Sequence, residues 1–152
     1  LGTSCMTDLV FVDTNVLVYQ RDSSERIKQP RAKIWVDLLW THRIGRLSTQ
    51  VLQEYYQTVT RKLSPGLNRG EARDEIRDLM VWRPVIVSQE VLEKAFAIED
   101  RYALSFWDSL IVAAAKHAAC AFLLTEDLQD GQELDGVRIV NPFAHEPSEI
   151  GL

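Results

Sequence analysis

The sequence of 152 residues has few of the residues that mark secreted, zinc-binding or membrane proteins. It contains two cysteines and three histidines, and none of them stands at the spacing of a zinc site. Cys5 lies before the first methionine, and Cys120 lies in an alanine-rich apolar run, so we expect a reduced, cytoplasmic protein. No apolar run reaches the roughly 18 residues that a membrane-spanning helix needs, which argues against a membrane partner.

Motifs for phosphate loops and serine nucleophiles are also missing, since there is no glycine-rich loop and no G-x-S-x-G. The net charge of −5 argues against nucleic-acid binding through a general positive field. The charge is unevenly distributed, however. Residues 21–62 contain nine Lys/Arg and four Asp/Glu, whereas residues 90–152 contain four Lys/Arg and twelve Asp/Glu. This distribution leaves room for a basic rim beside an acidic site.

The composition, 46% hydrophobic and 26% charged, is that of a globular protein, and the length fits one domain. We assign residues 1–5 to a leader or cloning remnant, residues 6–145 to the domain and residues 146–152 to a C-terminal tail. Predicted strands alternate with predicted helices, which indicates a single three-layer α/β domain with a mostly parallel sheet of about four to five strands between helices. The predicted strands are 8–13, 46–50, 85–87, 121–125 and 137–140, the helices are about 14–20, 29–43, 51–63, 68–81, 88–102 and 105–119, and 126–136 is a polar loop.

Two predicted core strands end in acidic residues, at the edge where α/β sheets form their sites. Asp13 follows the first strand, and Glu126, Asp127 and Asp130 follow the strand at 121–125; spacing alone leaves the choice among these three open. Asp13 can also be a plain helix cap, and so can Thr14 or Asn15, but three capping residues in a row are redundant for one helix end.

Two further acids have a structural and a functional interpretation. Asp108 completes a capping box with Ser105, yet the helix that follows is apolar on all sides, and an ionised carboxylate in such surroundings needs a cation or hydrogen-bond donors. Glu54 points away from the apolar face of its helix, so periodicity alone indicates a solvated side chain. Carboxylates without histidine or cysteine favour hard cations such as Mg²⁺ or Mn²⁺.

The stretches "FVDTNVLVY", "STQVLQEYY", "LSFWDSLIVAAA" and "LLTEDLQDG" occur in this order, and with them the chain resembles the PIN-domain nucleases, in particular the VapC-like toxins of toxin–antitoxin pairs. The resemblance runs from Met6 to about Phe143. It implies a metal-dependent endoribonuclease that hydrolyses RNA phosphodiester bonds, an antitoxin partner and a homodimer. It also implies one or two Mg²⁺ or Mn²⁺ ions, held by Asp13, Glu54, Asp108 and Asp127.

By the same resemblance, Asn15 and Thr125 would support the acids. The last motif departs from the family, which often continues with Asp-Phe where this chain has Leu128 and Gln129. The basic residues that we consider for contact with the RNA backbone are Arg43, Arg46, Arg61 and Lys62.

Two alternatives remain. A phosphatase of the haloacid-dehalogenase type would use Asp13 as nucleophile, but that family expects Asp-x-Asp, and the second position here is Asn15. A non-catalytic module that binds RNA or a protein partner is the other alternative, and the presence of all four acids counts against it.

Overall fold

A five-stranded sheet runs through the centre of the computed structural model, which describes residues 8–152. The strands lie in the order β2-β1-β3-β5-β4; β4 is antiparallel to β5, and all other neighbours are parallel. This confirms the expected α/β class with a mostly parallel sheet. The expectations for residues 1–5, Cys5 included, lie outside the described residues. The strands are β1 (Val10–Val12), β2 (Gly45–Arg46), β3 (Phe122–Leu124), β4 (Glu133–Leu134) and β5 (Val137–Val140).

Six α-helices connect and cover the strands, and their bounds lie within a few residues of the predicted ones. Short 3₁₀ helices form at Met80–Trp82 and Pro147–Ile150. No helix in residues 8–152 is long and apolar enough to cross a membrane. The α-helices are α1 (Thr14–Tyr19), α2 (Lys28–His42), α3 (Thr49–Arg61), α4 (Arg69–Leu79), α5 (Gln89–Tyr102) and α6 (Phe106–His117).

Four of the helices begin at a side-chain cap that is visible in the sequence. Ser48, Asn68, Ser88 and Ser105 each accept a hydrogen bond from the backbone amide three residues later. Such a cap satisfies one of the amides that the first helical turn leaves without a partner. The cap at Ser48 starts α3 at Thr49, two residues before the predicted start.

Two predicted segments differ from the structure. The strand expected at 85–87 is only an isolated bridge between Ser48 and Val85. Val85 is buried, but Ile86 is 71% exposed, and the cap of the next helix at Ser88 follows directly, so the run is too short to form a ladder. The loop expected at 126–136 contains β4. Asp135 and Gly136 both have positive φ angles, 49° and 88°, and form the two-residue turn that pairs β4 with β5.

Helix α6 is buried in the core, and its short connection to β3 sets its direction. Residues 109–115 of α6 are all buried, as the apolar circumference of this helix predicts. Only four residues, 118–121, connect α6 to β3, so the helix runs back against that strand. The first turn of α6, with Asp108, therefore lies toward the carboxyl edge of the sheet.

Candidate functional site

The carboxyl ends of β1 and β3 bring two buried polar residues together. Asp13 follows β1 and Thr125 follows β3, and the Asp13 amide donates to the Leu124 carbonyl at 3.0 Å. Asp13 is 7% exposed and Thr125 is fully buried. Because the two strands are parallel neighbours, their ends meet at one edge, as the sequence predicts.

Three donors surround the Asp13 carboxylate. Its Oδ1 accepts from the Thr14 amide at 2.7 Å, and its Oδ2 accepts from the Thr125 hydroxyl at 2.8 Å and from Asn15 Nδ2 at 3.3 Å. Asp13 is itself the N-cap of α1. The capping role considered for Thr14 or Asn15 is therefore not the one observed, because both lie inside the first turn of the helix.

Thr125 links two acids. Its hydroxyl donates to Asp13 and accepts from Asn15 Nδ2 and from the Asp127 amide, both at 3.1 Å. One donated and two accepted bonds use the full capacity of a hydroxyl. Asn15 Nδ2 also donates to Asp127 Oδ2 at 3.0 Å. Asp13 and Asp127 are thus held on one hydrogen-bonded framework.

The electrostatics of this framework favour a cation. Burial, followed by the negative charges of Asp127 and Glu54, raises the pKa of Asp13 to about 6, although the bonds from Thr125 and Thr14 favour the charged form. Asn15 Oδ1 is buried and has no hydrogen-bond partner among residues 8–152. A buried carboxylate, nearby carboxylates and an unpaired amide oxygen together fit the oxygen ligands that Mg²⁺ and Mn²⁺ take.

Geometry distinguishes the three acids that follow β3. Glu126 accepts from the Tyr19 hydroxyl and pairs with Lys28 at 2.9 Å. Asp130 accepts from the Asn141 amide at 2.9 Å, and its other oxygen lies 2.6 Å from His145 Nε2. Asp127 is therefore the acid of this group that faces Asp13. The sequence does not indicate Lys28 and Tyr19 as partners of Glu126, because the spacing of residues in a helix carries no information about contacts with a distant loop.

Glu54 reaches the site from the rim. It is exposed on α3, as its helical position predicts, and its Oε1 accepts from the Thr14 hydroxyl at 3.1 Å and from Gln50 Nε2 at 3.4 Å. The bond from Thr14 connects it to α1 beside Asp13. Periodicity cannot reveal this link, because Thr14 and Glu54 are 40 residues apart.

Asp108 is the one predicted acid that the structure leaves apart. Its amide donates to Ser105 Oγ at 3.1 Å, the predicted cap. Within residues 8–152 its carboxylate forms no hydrogen bond with Thr14, Asn15 or Thr125, the side chains that connect the other three acids. In the same range, no three Asp, Glu, His or Cys side chains are grouped closely enough to form a metal-ion site. Three acids are thus connected through shared hydrogen bonds, and Asp108 stands near the same edge without joining them.

The four basic residues considered for RNA contact are not part of the hydrogen-bonded framework of the acids. Arg43 lies two residues before β2, and Arg46 is the last residue of this strand; both line a pocket with Trp82. Arg61 is the last residue of α3, and Lys62 follows it. None of the four forms a hydrogen bond with Asp13, Glu54, Asp108 or Asp127 in the described part of the chain.

Comparison with known proteins gives one family and several structures of the same fold. The PIN domain family model matches residues 10–135. No curated protein matches the chain.

Three solved structures cover most of the chain. A toxin–antitoxin complex from Klebsiella pneumoniae has a TM-score of 0.63 at 20% identity and covers 88% of this chain and 97% of its own. Mycobacterium tuberculosis VapC20, described as a toxin that cleaves the sarcin–ricin loop, has a TM-score of 0.60 at 22% identity, with 85% and 98% covered. Rickettsia felis VapBC2, bound to a DNA fragment of its promoter, has a TM-score of 0.56 at 14% identity, with 86% and 96% covered. At these identities the likeness is one of fold.

Proposed function

The chain belongs to the PIN domain family, and from this premise we propose that it is a metal-dependent endoribonuclease, the toxin of a toxin–antitoxin pair. The observation that carries the proposal is the buried Asp13 carboxylate, held beside Asp127 by Thr125 and Asn15. RNA as the substrate class is supported by the likeness to VapC20, whose structure is described as that of a toxin that cleaves the sarcin–ricin loop.

Four acids would hold one or two Mg²⁺ or Mn²⁺ ions. Asp13 and Asp127 form the inner pair, and Glu54 and Asp108 would complete the ligands from the rim of the site. When bound, such an ion lowers the pKa of a water molecule and stabilises negative charge on the scissile phosphodiester. Glu54 and Asp127 are exposed and Asp108 is partly exposed, so three of the four acids are accessible to an extended strand.

The neighbouring polar side chains would keep the acids in place. Asn15 donates to both inner carboxylates, and Thr125 donates to the Asp13 carboxylate and accepts from the Asp127 amide, so both acids are held in place before any ligand arrives. Thr14 holds Glu54 in the same way. Such outer hydrogen bonds typically matter 10- to 100-fold for metal affinity or activity.

A protein antitoxin, a homodimer and action on cytoplasmic RNA belong to the same proposal. The likeness to the Klebsiella complex and to VapBC2 supports an antitoxin. Co-expression with the product of an adjacent reading frame tests this part: we expect the two chains to purify together and the RNA cleavage to be suppressed. Light scattering of the isolated chain tests the homodimer.

The deciding experiment is cleavage of end-labelled RNA by the purified protein in Mg²⁺, in Mn²⁺ and in EDTA. Asp13→Asn and Asp108→Asn are expected to lose cleavage by roughly 100-fold or more, since each removes a proposed ligand. Asp37→Asn, at an exposed acid of α2 that pairs with Lys33, is the matched control and should cleave normally.

Three results would count against the proposal. Undiminished cleavage by Asp13→Asn would reject the site. Undiminished cleavage by Asp108→Asn alone would remove that residue from the proposed ligands. Hydrolysis of p-nitrophenyl phosphate with no cleavage of RNA would favour the phosphatase alternative instead.

A further inference from the structure

The pocket that Arg43 and Arg46 line with Trp82 has a volume of about 350 Å³ and lies along the outer side of β2. We call it the arginine pocket. Arg46 belongs to β2, Arg43 stands two residues before this strand, and Arg83 follows the 3₁₀ helix Met80–Trp82. The lining residues are Trp40, Arg43, Arg46, Val81, Trp82 and Arg83.

The charge of the arginine pocket is not neutralised. Within residues 8–152, none of its three arginines forms an ion pair, and no acid lines the pocket. Eight other Lys and Arg side chains do pair with acids. Three guanidinium groups gathered in one concavity of a chain with a net charge of −5 form a local positive field, which attracts an anionic ligand.

Local packing holds the pocket in shape. Arg46 Nη1 donates to the Gly45 carbonyl at 2.8 Å. A Cβ atom at Gly45 would lie 2.7–2.8 Å from the Trp82 ring, so the absence of a side chain there lets Trp82 pack against β2. Trp82 is 2% exposed, and its indole N–H is buried without a hydrogen-bond partner among the described residues.

The aromatic residues narrow the class of ligand. The rings of Trp40 and Trp82 are 5.0 Å apart and tilted by 49°, and Trp40 is 36% exposed, so one ring offers a partly open surface. Guanidinium groups bind phosphate through paired donors. Arginines combined with an accessible aromatic ring are the combination by which proteins bind single-stranded nucleic acid.

We propose that the arginine pocket binds backbone phosphates of a single-stranded RNA substrate, at a place separate from the acidic site. This inference rests on the proposed function. Val10 pairs with Gly45 and Phe11 with Arg46, which places Asp13 level with Ser48, five residues beyond Arg43. At about 3.3 Å per residue, Arg43 is roughly 17 Å from Asp13 along the strands, a span that a short strand of RNA can cover.

The test measures binding of a labelled single-stranded RNA of about 12 nucleotides by fluorescence anisotropy in EDTA. The variants are Arg43→Gln, Arg83→Gln and the double variant. Arg69→Gln is the matched control, because Arg69 is exposed, forms no ion pair in the described chain and lies one α4 length, about 17 Å, from the Met80 end.

We expect the double variant to raise the dissociation constant about tenfold at physiological salt. The slope of log K against log salt should become shallower by about 0.7 for each RNA phosphate that no longer binds an arginine. The control should match the wild type in both quantities. In Mg²⁺ the double variant should raise the KM for RNA cleavage and leave kcat near its wild-type value, because the acids are untouched.

Several results would overturn the inference. The inference fails if the wild-type protein does not bind the RNA, or if the pocket variants bind it as well as the control does. It also fails if uridine monophosphate binds as tightly as the RNA. A change in oligomeric mass with unchanged RNA binding would identify a protein interface instead. If these results occur while metal-dependent cleavage still requires Asp13, only the inference about the arginine pocket is refuted, and the proposed function stands. If the pocket binds RNA and no cleavage occurs in Mg²⁺, the pocket is supported and the proposed catalysis fails.

Discussion

Replacing Asp13 by Asn should stabilise the metal-free protein at neutral pH. Burial, together with the charges of Asp127 and Glu54, raises the pKa of Asp13 from 3.8 to about 6. A carboxyl group with a raised pKa in the folded state binds its proton more tightly there than in the unfolded chain. Its ionisation therefore opposes folding. The penalty begins as the pH rises past 3.8 and is complete above about 6.

The size of the effect follows from this shift. A change from 3.8 to about 6 corresponds to roughly 3 kcal/mol at about 1.4 kcal/mol per pH unit. An asparagine can keep the cap of α1 through its Oδ1, but its Nδ2 then faces the Thr125 hydroxyl and Asn15 Nδ2 in place of a carboxylate oxygen, which costs on the order of 1 kcal/mol. We therefore expect a net gain of about 2 kcal/mol near pH 7.5, shrinking to roughly 0.5 kcal/mol near pH 5.

Urea unfolding in EDTA, followed by circular dichroism at the two pH values, measures this gain. Asp37→Asn provides the exposed control and should change stability by less than about 0.5 kcal/mol at either pH. Added Mg²⁺ should then stabilise the wild type, by about 2.7 kcal/mol at a hundred times its dissociation constant, and leave Asp13→Asn almost unchanged. An Asp13→Asn protein that is less stable than the wild type at both pH values would refute the reasoning.

Three other substitutions test separate parts of the structure. Thr125→Val should lower the free energy of unfolding in urea by roughly 2–3 kcal/mol near pH 7.5, because the buried Asp13 carboxylate loses a charge-assisted hydrogen bond. Thr125→Ser should restore most of this free energy. A valine variant as stable as the wild type would contradict the hydrogen-bonded framework. Gly45→Ala should lower the unfolding free energy by about 1–3 kcal/mol through overpacking against Trp82, and unchanged near-ultraviolet circular dichroism would argue against that packing. The hydrogen bond to Asp130 raises the pKa of His145, so His145→Gln should destabilise the protein by less than about 1 kcal/mol below pH 6.5, and the difference should fade as the pH rises through the raised pKa; a difference that grows with pH would have the wrong sign.

The fold could be predicted largely because its signals are local. Helix caps at Ser48, Asn68, Ser88 and Ser105 are readable within four residues, and buried strands are short apolar runs. The two misassigned segments lack such signals. Residues 85–87 form an apolar run that makes only a single bridge, to Ser48. The strand β4 consists of two residues, so only its pairing with β5 defines it.

The candidate site could be predicted in part. The positions of strand ends in the sequence indicate which residues reach the edge of the sheet, whereas contacts between distant residues leave no such pattern. Asp13 and Thr125 end neighbouring strands, which is enough to expect them together. The choice of Asp127 over Glu126 and Asp130 depends on where Lys28 and His145 lie, and no spacing in the sequence encodes that. The link from Glu54 to Thr14 is of the same kind.

The acidic site at the carboxyl edge of the sheet and the arginine pocket beside the edge strand β2 carry opposite charges, and this arrangement affects how the protein would bind RNA. At the carboxyl end of β1, like-charged carboxylates stand together and need a cation. On the outer side of β2, three arginines stand together without an acid. A polyanion is repelled by the first site until an ion is bound there, and is attracted by the second at all times. Binding of the strand and hydrolysis would then respond differently to the metal, which is why RNA affinity in EDTA and cleavage in Mg²⁺ must be measured on the same variants.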